Sequence, residues 1–251
     1  MYYFIYPEVD TTLLQSSGSQ NTGLDEILEI RKDMKADGSS VKVSRILMKF
    51  DLNEVSKSIV SGQIATDAKF YLNLYDANPV DLSYSQSLWA YPISQSWVSG
   101  EGKYHDNPPV VEGASWFYKD GAAQATMWDS VITSSGATWY SETYGSQSFA
   151  WGTTDMRMDV TPIVNKWLDG TYPNEGFILK RSGSLGNSDV NVDEGSGDRL
   201  GNFSFFSRET NTIYPPKLEL EWYDTLWNTG SLSALSSAEL EDLSFYMKGL
   251  R

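Results

Sequence analysis

Apolar and polar residues alternate with a period of two along most of the chain. After the Pro215-Pro216 stop, Leu218, Leu220 and Trp222 interleave with Lys217, Glu219 and Glu221, the pattern of a strand with one buried and one wet face. The same alternation runs through Ile46, Met48 and Phe50 against Arg45 and Lys49, and through Phe70, Leu72 and Leu74 against Lys69 and Asn73. It recurs in Met156, Met158 and Val160 against Arg157 and Asp159, and around Phe177 and Leu179. Met1-Tyr-Tyr-Phe-Ile-Tyr-Pro7 reads as a first strand, since it has no basic leader, is too short for a signal h-region and lacks a small-residue cleavage site. Many short strands separated by Gly, Ser, Asn and Pro predict an all-β fold, an antiparallel two-sheet jelly-roll sandwich.

Helical spacing is scarce. One short internal helix is expected at Thr161-Pro-Ile-Val-Asn-Lys-Trp-Leu168, with Thr161 as N-cap, Pro162 at the first helical position and Gly170 as the stop. Ile163, Val164 and Trp167 would share one face and plug an end of the sandwich. From about Trp97 to Trp151 the chain turns irregular and predicts long ordered loops. After Asp224 a polar linker leads to Ser236-Ser-Ala-Glu239, a capping box, and then to Leu240, Leu243, Met247 and Leu250 at heptad-like spacing. The expected organisation is therefore a sandwich over 1–223 and, over 224–251, a linker plus a short amphipathic helix that docks on its own sandwich or on a neighbouring subunit.

Composition narrows the function classes. Of 251 residues 40% are hydrophobic and 14% aromatic, including nine Trp and fifteen Tyr, enough to bury a large core. The net charge of −14 with scattered Lys and Arg argues against a nucleic-acid partner, whose phosphates it would repel. No Cys and a single His remove disulfide scaffolds, thiolate metal sites and most zinc sites. No apolar run approaches the roughly 20 residues needed to cross a bilayer, so no membrane insertion is expected. Lacking a signal peptide, the product should stay in the cytoplasm where it is made.

Catalytic chemistry finds few building blocks. There is no G-x-S-x-G elbow, and a triad would need His105, which lies in a loop before two prolines. No spacing singles out a carboxylate pair among the 33 acids. The Gly195–Gly201 stretch matches a phosphate loop only loosely. Asp189, Asn191 and Asp193 alternate like the first ligands of a calcium loop, but Glu194 stands where that loop turns on Gly and Leu200 where its bidentate Glu belongs. A solvated acidic loop is the plainer reading; a structural calcium is the one cofactor left open. Trp116, Tyr118, Trp128, Trp139, Tyr140 and Tyr144, in polar company within the irregular stretch, are candidates for glycan or partner contact. The plainer alternative is that they fill space between loops and sheet.

An ordered series of short motifs resembles the β-sandwich modules called DNRLRE, or disaggregatase-related. Asp10-Thr-Thr-Leu13 is followed by Asn21-Thr-Gly23, then by Ser44-Arg-Ile-Leu-Met-Lys-Phe-Asp-Leu52. Trp97, Asp159-Val-Thr161, Trp167-Leu-Asp-Gly170, Asn174-Glu-Gly-Phe177, Phe206-Ser-Arg-Glu209 and Pro215-Pro-Lys-Leu218 come after in order, so the resemblance covers residues 1 to 223. It implies a jelly roll, sometimes with carbohydrate affinity, and carries over no catalytic residue. The acidic, Cys-free, aromatic-rich chain is similar to particle proteins of T4-like marine phages. The resulting expectation is a non-enzymatic structural component of a tailed-phage virion in the tail, baseplate, neck or fibre-attachment region. Its partners would be other virion proteins or further copies of itself. The alternative is a carbohydrate-binding module for host surface glycan, and a polysaccharide-cleaving enzyme is a distant third.

Overall fold

The computed structural model describes residues 1–34, 41–79, 82, 85–124, 126–129, 136–150, 155–182, 194 and 200–223. The C-terminal segment with Leu240, Leu243, Met247 and Leu250, and the calcium candidates Asp189, Asn191 and Asp193, lie outside the described residues. The strands are β1 (Tyr2–Ile5), β2 (Val9–Leu14), β3 (Ile27–Met34), β4 (Val41–Lys49), β5 (Lys69–Leu74), β6 (Gln86–Pro92), β7 (Gly145–Phe149), β8 (Met156–Asp159), β9 (Phe177–Arg181), β10 (Gly201–Phe206) and β11 (Lys217–Glu221). Two short helices join them, α1 (Asn53–Val60) and α2 (Thr161–Leu168).

All strand pairing is antiparallel, in two sheets. The small sheet runs β1-β11-β5-β8; the large one runs β10-β3-β4-β9-β6-β7, with β2 also on β4. Strand β4 is shared along one edge: Ser44 to Lys49 pair with β2, whereas Val41 to Val43 pair with β3. Beyond that split β3 curls away to pair with β10. In turn β10 reaches the end of β5, where the Phe206 amide donates to Tyr75 O at 3.1 Å and the Ala77 amide to Ser204 O at 2.8 Å. On the opposite side the Arg157 amide of β8 donates to the Gln147 side chain of β7 at 2.9 Å. The large sheet is thus a curled half-barrel that closes on the small one, and the expected all-β sandwich is the fold found.

Between the sheets lies the main core, built from the residues whose alternation marked the strands. Ile46, Met48, Phe70, Leu72, Leu74, Met156, Met158, Phe177, Leu179, Leu218 and Leu220 are all buried there, joined by Phe203 and Phe205 from the curl. Each such Leu, Ile or Phe taken from water contributes roughly 1.5–3 kcal/mol before chain entropy is counted.

The helices qualify the expectations. In α2, Ile163, Val164 and Trp167 are buried, Pro162 sits in the first turn and Gly170 follows with a φ of +75°. Thr161, however, is not the side-chain cap. Its hydroxyl accepts the Phe70 amide at 2.9 Å, tying the helix to β5, while Asp159 Oδ1 accepts the Thr161 amide at 2.9 Å. Helix α1 corrects the expectation of a single internal helix. Only Val55 and, in part, Ile59 pack inward from its Ser-rich eight residues, too short a stripe for helical periodicity to register. Among the described residues, no helix is long and apolar enough to cross a membrane.

Candidate functional site

Chemistry concentrates on the outer face of the large sheet. Cross-strand partners share a face, so the pairs Leu13–Arg45, Leu47–Ile178, Tyr91–Ile178 and Trp89–Lys180 place these residues on the side away from the main core. Loops between residues 94 and 144 cover that side. Ala114, Trp116, Trp128 and Ala137 pack with Leu13, Val43, Leu47, Tyr91, Ile93 and Ile178 into a second core. The central strands β4, β9 and β6 are therefore covered on both faces, whereas Ser146 and Ser148 of β7 stay exposed.

One residue pins these loops. The buried Asn21 side chain donates to Ser99 O at 2.6 Å and Ala114 O at 2.8 Å, and accepts the amides of Gly23 at 3.1 Å and Gly102 at 2.8 Å. Its own amide donates to Val110 O at 2.9 Å. The fit excludes side chains: at Gly100, whose φ is +82°, a Cβ would stand 2.5 Å from Asn21 Oδ1 and 2.4 Å from Glu112 O.

Beneath the loops sits an ion triad. Glu194 takes a two-pronged contact from Arg45, Nε to Oε1 at 2.9 Å and Nη2 to Oε2 at 3.0 Å, and a second from Lys180 Nζ at 2.8 Å. All three side chains are buried. Arg45 also donates to Gly136 O at 2.6 Å, and its guanidinium lies 4.9 Å from the Trp116 ring centre and 5.0 Å from that of Trp139. Burial pushes the Glu194 carboxyl up, but the Arg45 and Lys180 cations outweigh it and hold the group below the usual carboxylate range. Burial draws Lys180 down against the pull of Glu194. Arg45, whose planar guanidinium reaches both carboxylate oxygens, anchors the group.

At the margin of this second core a set of aromatic rings reaches the surface. Tyr144 stacks on Trp89 with centroids 4.4 Å apart, Trp89 lies 6.0 Å from Tyr91, and Tyr91 lies 6.0 Å from Trp139. Tyr140 stacks flat on Tyr172 at 4.0 Å. Burial, with Tyr144 and Glu194 adding to it, pushes the Tyr91 phenol up to about 12. The sequence candidates Trp139 and Tyr144 thus come together here, with Tyr144 45% exposed, whereas Tyr140 meets Tyr172, a residue packed against the main core. Trp116 and Trp128 are not among the rings that reach the surface. Both are buried, and the Trp128 indole donates to Ser115 O at 3.0 Å, so they fill the space between loops and sheet. Tyr118 is half-buried beside the exposed Phe117 and Met127, away from that group.

A second exposed aromatic region is β1 itself, where Tyr2, Tyr3 and Phe4, with Tyr6 beyond, are 62%, 49%, 42% and 58% exposed. Two recesses lie among the described residues. One of about 400 Å³ lies by α1 and α2, lined by Glu8, Lys49, Asp51 and Trp167 among others; the other, of about 750 Å³, has Glu101, Glu112 and Asp120 in its wall. Among the described residues no group of three acidic or His side chains is arranged to hold a metal. His105 is an exposed loop residue set edge-on to Tyr104.

No family model matches the chain, and no curated protein matches it. Sequence reasoning missed Lys180 and Glu194 as a buried pair, Trp89 and Tyr91 as partners of Trp139 and Tyr144, and Tyr172 as the partner of Tyr140. A signal for the outer core was present in Leu88-Trp-Ala-Tyr91, Ile46-Leu-Met48 and Phe177-Ile-Leu179, unbroken apolar runs that mark strands buried on both faces. Nothing local marked Glu194, whose partners stand 149 and 14 residues away in sequence.

Proposed function

We propose that this chain is a non-enzymatic contact module, a structural component of a tailed-phage virion made in the host cytoplasm and placed in the tail, baseplate, neck or fibre-attachment region. The observation that carries the reading is the pairing of a large sheet whose central strands are covered on both faces with aromatic side chains left at the surface. A body braced by two cores resists deformation, and contiguous exposed rings mark surfaces made to be covered. The DNRLRE resemblance supports it, because residues that carry the resemblance hold the body together. Asn21 pins the loops, Arg45 anchors the ion triad, and Asp10 Oδ2 accepts the Arg208 amide at 2.7 Å. Mass spectrometry of gradient-purified particles tests it. Peptides of this chain in fixed ratio to the major capsid protein are expected, and their absence from particles overturns the proposal.

The set around Tyr144 favours a second reading, recognition of a host glycan, since sugar rings stack on exposed aromatic faces while neighbouring hydroxyls, here Ser146 and Ser148, bond their oxygens. On this reading Tyr144→Ala lowers affinity for a responding glycan at least tenfold with the circular dichroism unchanged. A glycan array on which the parent protein is silent rejects it.

A further inference from the structure

The small sheet ends on one side at β1, which among the described strands pairs only with β11. Met1 and Trp222 exchange both backbone hydrogen bonds, the Met1 amine donating to Trp222 O and the Trp222 amide to Met1 O at 3.1 Å. In an antiparallel ladder such pairs alternate, so Tyr3 and Ile5 also turn their amides and carbonyls toward β11. Tyr2 and Phe4 then turn theirs outward, to the free edge.

Natural edges are usually blunted by a charge, a proline or a bulge. Here no side chain from Met1 to Tyr6 is charged, and the first proline is Pro7. Four of these residues are exposed aromatics, and Lys217 lies over the Phe4 ring at 4.2 Å, on one face of the sheet.

We infer that the occupant of this edge is a second copy of the same chain, its β1 paired antiparallel to the first about a two-fold axis at Tyr3. In that register Tyr2 stands opposite Phe4 of the other copy and Phe4 opposite its Tyr2. Both are pairs whose backbone groups point outward, so four hydrogen bonds form and none is left over at either residue. Tyr3 faces its own counterpart in the closer, non-hydrogen-bonded type of pair. The two four-stranded sheets become one continuous sheet of eight strands. The new rows of side chains join ring to ring, so two chains of net charge −14 meet without setting carboxylates directly opposite each other. With about half of each ring of Tyr2, Tyr3, Phe4 and Tyr6 exposed, and Met1 beside them, the surface covered on the two copies is on the order of 1,000 Å², the lower bound for a specific interface.

The full-length chain in solution tests this independently of whether it resides in a virion. Light scattering after gel filtration at micromolar concentration should give twice the chain mass. Because the chain has no cysteine, Tyr3→Cys places a single thiol at the axis. Facing Cα atoms there are about 4.5 Å apart, within disulfide reach, so mild oxidation should yield a covalent dimer. Tyr6→Cys, separated from its counterpart by roughly 20 Å, should not cross-link. Phe4→Pro removes an amide that points to the free edge and spares those bonded to β11; it should weaken the dimer at least tenfold with an unchanged circular dichroism spectrum. A monomer at these concentrations overturns the inference, including one whose edge is covered by its own residues 224–251. So does a dimer that survives Phe4→Pro or cross-links equally through Tyr6→Cys.

Discussion

The central strands of the large sheet are buried on both faces, by different means. On the inner face Ile46, Met48, Leu88, Ala90, Phe177 and Leu179 meet the small sheet through apolar contact that has no preferred direction. On the outer face Leu47, Tyr91 and Ile178 meet loops, and directional bonds set the contact: four hydrogen bonds at the Asn21 side chain and a carboxylate held by two cations. Loops carry backbone polar groups that must be satisfied when buried. A strand satisfies them in its ladder, whereas a loop needs side chains such as Asn21 to do so. The inner core should therefore respond to changes in volume, and the outer core to loss of a partner.

Removing Glu194 is expected to be the severest way to break that contrast. Glu194→Ala leaves Arg45 and Lys180 buried without their anion and should cost about 3–5 kcal/mol in denaturant unfolding. Replacing all three together, Arg45→Met, Lys180→Met and Glu194→Leu, should return the protein to within about 2 kcal/mol of its starting stability, because the apolar replacements need no partner. A triple variant as unstable as Glu194→Ala would show that volume, not charge, governs the outer face.

Asp10 sharpens the comparison through pH. Its carboxyl, on the strand between the two cores, is pushed up from 3.8 to about 7, chiefly by burial with Glu209 adding, while the Arg208 amide opposes. A raised carboxyl pKa means that the folded state holds its proton longer than the unfolded state does. The stabilisation is complete below about pH 4 and is lost as pH rises through 7, a change on the order of 4 kcal/mol. Asp10→Asn should remove this part of the profile, so its stability relative to the parent should rise between pH 4 and pH 8. Equal slopes for the two proteins would refute the assignment.

Asn21→Ala should cost about 3 kcal/mol, since it strands two carbonyls and two amides under the loops. It should speed hydrogen exchange at Gly23 and Gly102 while leaving exchange in β5 and β11 unchanged. The mildest effect is expected on the inner face. Leu179→Met, nearly equal in volume, should cost less than about 1.5 kcal/mol by thermal melting; a loss as large as that of Asn21→Ala would erase the distinction between the faces.

Much of the inner half was legible in the residues. Period-two alternation located β4, β5, β8, β9 and β11, and Pro162 with Gly170 bounded α2, because these signals act over a few neighbouring residues. Helix α1 escaped notice for want of a longer apolar stripe, and β7 because Gly145-Ser-Gln-Ser-Phe149 has little to bury on either side. The aromatic candidates were legible as a group but not as individuals. Trp116 and Tyr144 have similar polar surroundings in sequence, and only the path of the loops sends one under Arg45 and the other to the surface.

The sequence by itself determined the class of fold and its inner core, since alternation on a pleated strand dictates which side of each residue turns inward. Tertiary structure alone decided what closed the other side: that Glu194 meets Arg45 and Lys180, that Asn21 gathers Ser99, Gly102 and Ala114, and that β1 is left at an edge. The physical reason is the range of the forces. Patterning acts between neighbours in the chain, whereas a buried charge or amide must find its partner wherever the fold brings one, and no spacing in the chain records that.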